Sequence, residues 1–197
     1  YQILFDVSAD VLAYYQGNSS IEQVSGRELL LIDGTGTTIP VDVEHKNYWD
    51  PRISPDGRLV LTHASSDATG SDIWLVDPAR GTSRRMTTNP GEDETALWSP
   101  GGTHFYYSAN GDDTEYILRQ SVDGSTPIDT LLEDTHHKHV ESVSGDERYL
   151  VISSRDETNN TDLVLIDLTG GDSVRKLTRA ASREIAGKIS PDGRSLA

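Results

Sequence analysis

The sequence contains no cysteine, so it can form neither a disulfide nor a thiolate metal site, and its redox compartment is left open. No hydrophobic run approaches the roughly 20 residues of a membrane helix, so we expect no insertion into a membrane. No signal peptide is recognisable where the chain opens. We therefore expect that any leader has been removed or lies outside these residues.

Basic residues are also scarce: 17 lysines and arginines face 32 aspartates and glutamates, which gives a net charge of −15. Nucleic acids and anionic membrane surfaces both require basic patches, so neither is an expected partner. An Asp-rich and Lys-poor surface suits a saline habitat, although an ordinary acidic protein can have the same composition.

Motifs for catalysis are missing as well. The chain has no Gly-x-Ser-x-Gly nucleophile elbow and no Walker-type phosphate loop. Gly34 and Gly36 lack the third glycine of a dinucleotide-binding fingerprint and are better read as a turn. The aspartates recur at turn positions rather than as a catalytic pair. We therefore predict no catalytic residue in this chain, although its status as an enzyme stays open.

What the chain does contain is a repeat. The turn Ser54-Pro55-Asp56-Gly57 uses proline to preset its own φ, aspartate to bind local backbone and glycine to accept a positive φ. Counterparts follow at intervals of 45 or 46 residues. They are Ser99-Pro100-Gly101-Gly102, Ser144-Gly145-Asp146-Glu147 and Ser190-Pro191-Asp192-Gly193.

A second element repeats with the turn: an acidic residue, an apolar run and then aspartate, as in Asp72–Asp77 and Asp162–Asp167. A period in the forties with four strands per repeat is typical of a β-propeller blade. The sequence thus predicts an all-β propeller of four-stranded antiparallel blades, forming a single domain over residues 1–197. The blades are predicted at about 1–42, 43–88, 91–133 and 138–179, with the start of a fifth at 185–197.

Three motifs of the second repeat, SPDGR (54–58), DIWLVD (72–77) and RRMT (84–87), resemble the WD-like repeat of TolB-type propellers. The N-terminal segments 7–15, 27–41 and 48–58 are also similar to propellers fused to bacterial serine/threonine kinases. Residues 105–167 resemble the propeller of prolyl-oligopeptidase-type peptidases. The TolB resemblance implies a larger ring than this chain supplies, a protein-binding role and, by slight preference, a periplasmic or extracytoplasmic location. Self-association through open end blades is then expected, whereas a small four-bladed ring is the alternative.

Two aromatic residues are candidates for binding. Tyr48 and Trp49 are predicted to precede the first strand of the second repeat, and in a propeller that strand lies nearest the central channel. Trp49 is therefore expected to border the channel mouth, with packing between blades as the alternative.

The residues 136–139, His-His-Lys-His, occupy the equivalent position in the fourth repeat. Alternation along a strand lets only His137 and His139 converge, and imidazoles suit transition metals such as Zn²⁺ or Mn²⁺. No third ligand is identifiable, and a polar loop is the simpler interpretation. A TolB-like lyase family uses channel histidines with a metal. Acidic turns at 91–94 and 111–113 offer oxygen ligands for Ca²⁺, but they lack the spacing of a Ca²⁺ loop.

Three functions follow in order of preference. The first is a non-catalytic scaffold that binds a protein or peptide. The second is the substrate-gating or sensor propeller of a larger peptidase or kinase fusion. The third is a metal-dependent lyase or hydrolase that uses His137 and His139.

Overall fold

The structure is a computed structural model that describes residues 5–8, 11–16, 28–44, 46–65, 70–170, 174–178 and 183–197. Across these residues every regular element is a β-strand. No helix in the described part of the chain is long and apolar enough to cross a bilayer.

Sixteen strands form four sheets, each of four strands that follow one another in the chain. The first sheet contains β1 (Phe5–Ser8), β2 (Val11–Gln16), β3 (Glu28–Ile32) and β4 (Thr38–Pro40). The second contains β5 (Tyr48–Ile53), β6 (Val60–Ser65), β7 (Ser71–Asp77) and β8 (Thr82–Arg85). The third contains β9 (Asp93–Trp98), β10 (His104–Asn110), β11 (Glu115–Ser121) and β12 (Asp129–Asp134). The fourth contains β13 (His137–Val143), β14 (Tyr149–Arg155), β15 (Thr161–Asp167) and β16 (Val174–Lys176).

In every sheet the strand order follows the chain order, as in an antiparallel meander. A fifth repeat begins with a single bridge between Ile189 and Leu196. The predicted all-β propeller class is thereby confirmed. The single domain over residues 1–197 and its blade limits stay predictions. The chain divides into two compact units, Tyr1–Trp98 with β1 to β9 and Ser99–Ala197 with β10 to β16.

The repeated turn is held by one serine and one aspartate. The Ser54 hydroxyl donates to the Asp56 carboxylate (2.6 Å) and accepts the backbone N–H of Leu59 (2.9 Å). Ser144 and Ser190 make the same pair of bonds in their own turns. Ser99, whose turn has Gly101 in place of aspartate, keeps only the serine contact, to the N–H of His104 at 3.3 Å.

Each unit has its own apolar core. In the first unit the core cluster is formed by aliphatic side chains and one tyrosine from the first two sheets and the segment between them. Its buried members are Ala13, Leu29, Val41, Tyr48, Ile53, Val60, Ala64 and Val76. In the second unit the largest fully buried apolar side chains are Phe105, Tyr106, Tyr107, Ile117, Leu150 and Ile152. The buried positions run consecutively along β10 and β14, so both faces of these two strands are covered.

The outermost strand of two sheets is held by an ion pair to a buried aspartate. Asp72 of β7 contacts Arg85 of β8 at 2.7 Å, and Asp162 of β15 contacts Lys176 of β16. Beyond each strand a threonine hydroxyl accepts a backbone N–H at 2.9 Å, Thr87 from Ile73 and Thr178 from Leu163. The acidic residue that precedes each apolar run is therefore a brace for the outer strand.

Candidate functional site

The two aromatic residues predicted for binding lie next to each other on β5 but face opposite ways. Tyr48 is fully buried, and its hydroxyl donates to the backbone oxygen of Glu44 at 2.7 Å. Burial raises the pKa of Tyr48. Trp49 is 39% exposed and is one of the few large hydrophobic side chains on the described surface. Tyr48 thus anchors the strand, and Trp49 presents its indole to solvent; the binding role of both residues stays a prediction.

A β-bulge fixes the direction of Trp49. Pairing between β5 and β6 runs from Trp49 opposite His63 to Arg52 opposite Leu61, so the register shifts between them. Asp50, within the bulge, has a φ of 51°, which an L-residue rarely adopts. The Thr62 hydroxyl donates to the backbone oxygen of Trp49 at 2.7 Å. Bulges commonly re-aim side chains next to binding surfaces.

The segment 91–94 forms a wall beside Trp49. Its anchor is the buried Asp93, whose carboxylate accepts from Asn89 at 3.2 Å and whose backbone oxygen accepts from Ser71 at 3.2 Å. Burial raises the pKa of Asp93, against the effect of its hydrogen-bond donors. Because neighbouring side chains in an extended segment point to opposite sides, the inward Asp93 turns Glu92 and Glu94 outward.

These two parts of the first unit enclose a depression of about 520 Å³, hereafter the Trp49 depression. It is lined by Trp49, His63, Ser65, Gly70, Ser71, Glu92 and Glu94. The lining combines an aromatic face with two carboxylates. Such a surface can bind a partner's side chain by stacking and by charge.

In the second unit the structure brings the two predicted metal-binding histidines together. The rings of His137 and His139 on β13 meet edge to face with 4.7 Å between their centroids. His137 Nδ1 lies 3.5 Å from the carboxylate of Glu115. The convergence expected from strand alternation is therefore present. Metal binding by this pair stays a prediction.

Between the two histidines lies Lys138, which sequence reasoning missed. Its side chain is fully buried, and Nζ donates to the backbone oxygens of His136 (2.6 Å) and Glu115 (3.4 Å) and contacts the Asp134 carboxylate. A buried ammonium group needs such partners. The available sequence signal was its place between His137 and His139, because alternation along a strand points Lys138 to the opposite face from both histidines.

A second polar cluster was also missed: His104, Tyr106 and Glu147. The Tyr106 hydroxyl donates to Glu147 at 2.6 Å, and His104 Nε2 lies 3.2 Å from that hydroxyl and contacts the same carboxylate. Burial, followed by the bond to Glu147, raises the pKa of Tyr106 beyond its usual range. Glu147 has a φ of 58° in the turn position that is glycine in the other copies. That non-glycine residue was the sequence signal.

Comparisons with known proteins agree with this architecture. No family model matches the chain. It is 28% identical over 149 residues to the Tol-Pal system protein TolB of Wolinella succinogenes, a match that covers 73% of this chain and 34% of that protein. The chain therefore spans about a third of the length of this curated relative.

Solved structures give the same fold. TolB from Acinetobacter baumannii superposes with a TM-score of 0.76 and 24% identity over 98% of this chain and 47% of that one. A prolyl endopeptidase superposes with a TM-score of 0.66 and 16% identity over 90% of this chain and 29% of that one. The chain thus has a TolB-like β-propeller fold, as its repeat motifs predicted.

Proposed function

We propose that this chain is a non-catalytic, protein- or peptide-binding propeller domain that contacts its partner through the Trp49 depression. The observation that carries the proposal is the exposure of Trp49 on a strand whose other large apolar side chains, Tyr48 and Ile53, are buried. Tryptophan is enriched among the residues that dominate binding energy at protein interfaces. The likeness to a Tol-Pal system protein supports a protein partner and a periplasmic location.

Photo-crosslinking tests this proposal. In the full-length protein in its native cells, p-benzoylphenylalanine replaces Trp49 in one variant and Ile128 in a control, since Ile128 is also an exposed hydrophobic residue, at 50%. We expect one discrete adduct from position 49 and none from position 128. The captured protein, once purified, should bind Trp49→Ala about tenfold more weakly than the native chain, as for an interface hot spot. Equal binding by both would overturn the proposal.

A second candidate is the propeller of a larger enzyme, favoured by the likeness to a prolyl endopeptidase of which this chain spans only 29%. In a peptidase such a propeller would filter substrates by size, and in a kinase fusion it would sense a ligand. The full-length protein should then cleave short peptides and spare folded proteins, or phosphorylate a substrate in response to a ligand. Full-length protein that does neither would exclude this candidate.

A third candidate is a metal-dependent lyase or hydrolase, favoured by the contact between His137 and His139. The full-length protein would then retain Zn²⁺ or Mn²⁺ in stoichiometric amount after dialysis, measured by elemental analysis. His137→Ala should lose the metal, whereas His104→Ala, a histidine in another cluster, should keep it. Ca²⁺ binding at the acidic turns would appear in the same assay, and its insensitivity to His137→Ala would separate the two.

A further inference from the structure

The Trp49 depression carries charge of one sign. Glu92 and Glu94 belong to its lining, and no lysine or arginine is among the described residues that line it. Glu92 is exposed and Glu94 is half-buried at the start of β9. Two carboxylates in a depression, on a chain with a net charge of −15, attract cations and repel acidic partners.

Its aromatic wall also favours a cation. The face of an indole attracts an ammonium or guanidinium group placed within about 6 Å of the ring centroid. The same unit already contains one such pair, because Lys46 Nζ lies 4.4 Å from the centroid of the Trp74 ring. The exposed indole of Trp49 can accept a cation from a partner in the same way.

The backbone of the acidic wall packs closely on its neighbouring strand. Gly70, with a φ of 132°, packs so closely on Gly91 that an added Cβ would lie 2.0 Å from its carbonyl oxygen. The hydrogen bond from Ser71 to the backbone of Asp93 fixes the same wall. These contacts constrain the backbone that carries Glu92 and Glu94. Pre-organisation of this kind lowers the entropic cost of binding.

We infer that the Trp49 depression is a subsite for an arginine side chain of the partner protein. Arginine suits it better than lysine because a planar guanidinium stacks on an indole while its N–H groups point in-plane at carboxylates. This inference rests on the proposed function and specifies the chemistry that the partner must present.

Nuclear magnetic resonance of the three tryptophan indoles tests it directly. In ¹⁵N-labelled full-length protein, the variants Trp49→Phe, Trp74→Phe and Trp98→Phe assign the indole signals of the three tryptophans of this chain. Titration with N-acetyl-arginine amide should shift the Trp49 signal saturably and leave the Trp74 and Trp98 signals in place. N-acetyl-citrulline amide, which has nearly the same shape without the charge, should bind about tenfold more weakly or not at all.

Variants separate charge from shape. Glu92→Gln combined with Glu94→Gln should weaken binding of the arginine amide about fivefold or more, because each carboxylate contributes a charge-assisted contact. The exposed Glu133, outside the depression, supplies the control variant Glu133→Gln, which should bind normally. Loss of the dispersed Trp74 and Trp98 signals in the double variant would show that it has unfolded. The single variant Glu92→Gln, at an exposed position, then replaces it in the binding test.

Three results would overturn the inference: equal binding of the citrulline and arginine amides, unchanged affinity in the glutamine variants, or displacement of the arginine amide by equimolar CaCl₂. If a partner crosslinks at position 49 and binds the glutamine variants as tightly as the native chain, the arginine subsite is wrong and the proposed function still holds. If the arginine amide binds but no partner crosslinks at position 49, the subsite holds and the proposed function is wrong.

Discussion

Asp56 and Asp93 are both aspartates of the first unit, yet the fold acts on their charges in opposite ways. The exposed carboxylate of Asp56 accepts hydrogen bonds from the Ser54 hydroxyl and the Arg58 backbone, and these lower its pKa. Asp93 is buried, and loss of hydration raises its pKa. Folding therefore favours the ionised form of Asp56 and the protonated form of Asp93, which gives their variants opposite dependences on pH.

Replacement of Asp56 by asparagine should cost stability at neutral pH. Because the pKa of Asp56 is lower in the folded chain, its contribution is present above the unfolded value of about 3.9 and is lost as the pH falls through the folded value. Urea unfolding of the native chain and Asp56→Asn should therefore differ most near pH 7 and converge below about pH 4. Asp146→Asn, whose turn has the same hydrogen bonds, should behave alike. A difference that is constant with pH would contradict the prediction.

For Asp93 the direction reverses. Its pKa is raised on folding, so the native chain loses stability as the pH rises through the folded value and the buried carboxylate must ionise. An asparagine side chain at this position would never ionise. Relative to the native chain, Asp93→Asn should therefore gain stability from pH 4 to pH 7 in the same urea titration. A relative loss over that range would mean that the bonds from Thr87 and Asn89 outweigh burial.

At the scale of strands and turns, Gly70 is the position least able to accept a side chain. A Cβ there would lie 2.0 Å from the backbone oxygen of Gly91, and its φ of 132° disfavours any other residue. Gly70→Ala should therefore destabilise the chain by about 2–4 kcal/mol. Gly101, around which a Cβ would meet nothing within 4 Å, gives the matched control. Gly101→Ala should change the free energy of unfolding by less than about 0.5 kcal/mol. Equal effects in thermal unfolding would contradict the contact.

Elements of this fold could be predicted from sequence because their signals are local. The turn at Ser54 is determined by neighbours within five residues, and its period revealed the sheets. The convergence of His137 and His139 followed from alternation along one strand. The cluster of His104 and Glu147 could not be predicted in that way, since β10 carries His104, the turn between β13 and β14 carries Glu147, and the two meet only after packing.

The candidate binding site was predictable in part for the same reason. The position of Trp49 along the repeat indicated that it could take part in binding. The sequence did not indicate that its neighbour Tyr48 is fully buried. The acidic wall depends on the burial of Asp93, which turns Glu92 and Glu94 outward. From the sequence the segment 91–94 read as a solvated turn. The contacts of Ser71 with the Asp93 backbone, across 22 residues, and of Gly70 with Gly91 show that its backbone is fixed.

At the scale of the whole molecule, the net charge of −15 acts on both stability and binding. Like charges repel in the compact state, and salt screens that repulsion over a Debye length of about 10 Å at 0.1 M. Raising NaCl from about 20 to 500 mM should therefore raise the midpoint of urea unfolding, while it weakens binding of N-acetyl-arginine amide at the Trp49 depression.

Opposite responses to the same salt are the test, because a general effect on folding would move both in one direction. A double variant that places lysine at the exposed positions Asp112 and Glu133 has a smaller net negative charge. Its stability should therefore depend less on salt, whereas its binding of the arginine amide should keep the salt dependence set locally by Glu92 and Glu94. If salt lowered the unfolding midpoint of the native chain, local ion pairs such as that of Asp72 and Arg85 would outweigh the overall repulsion.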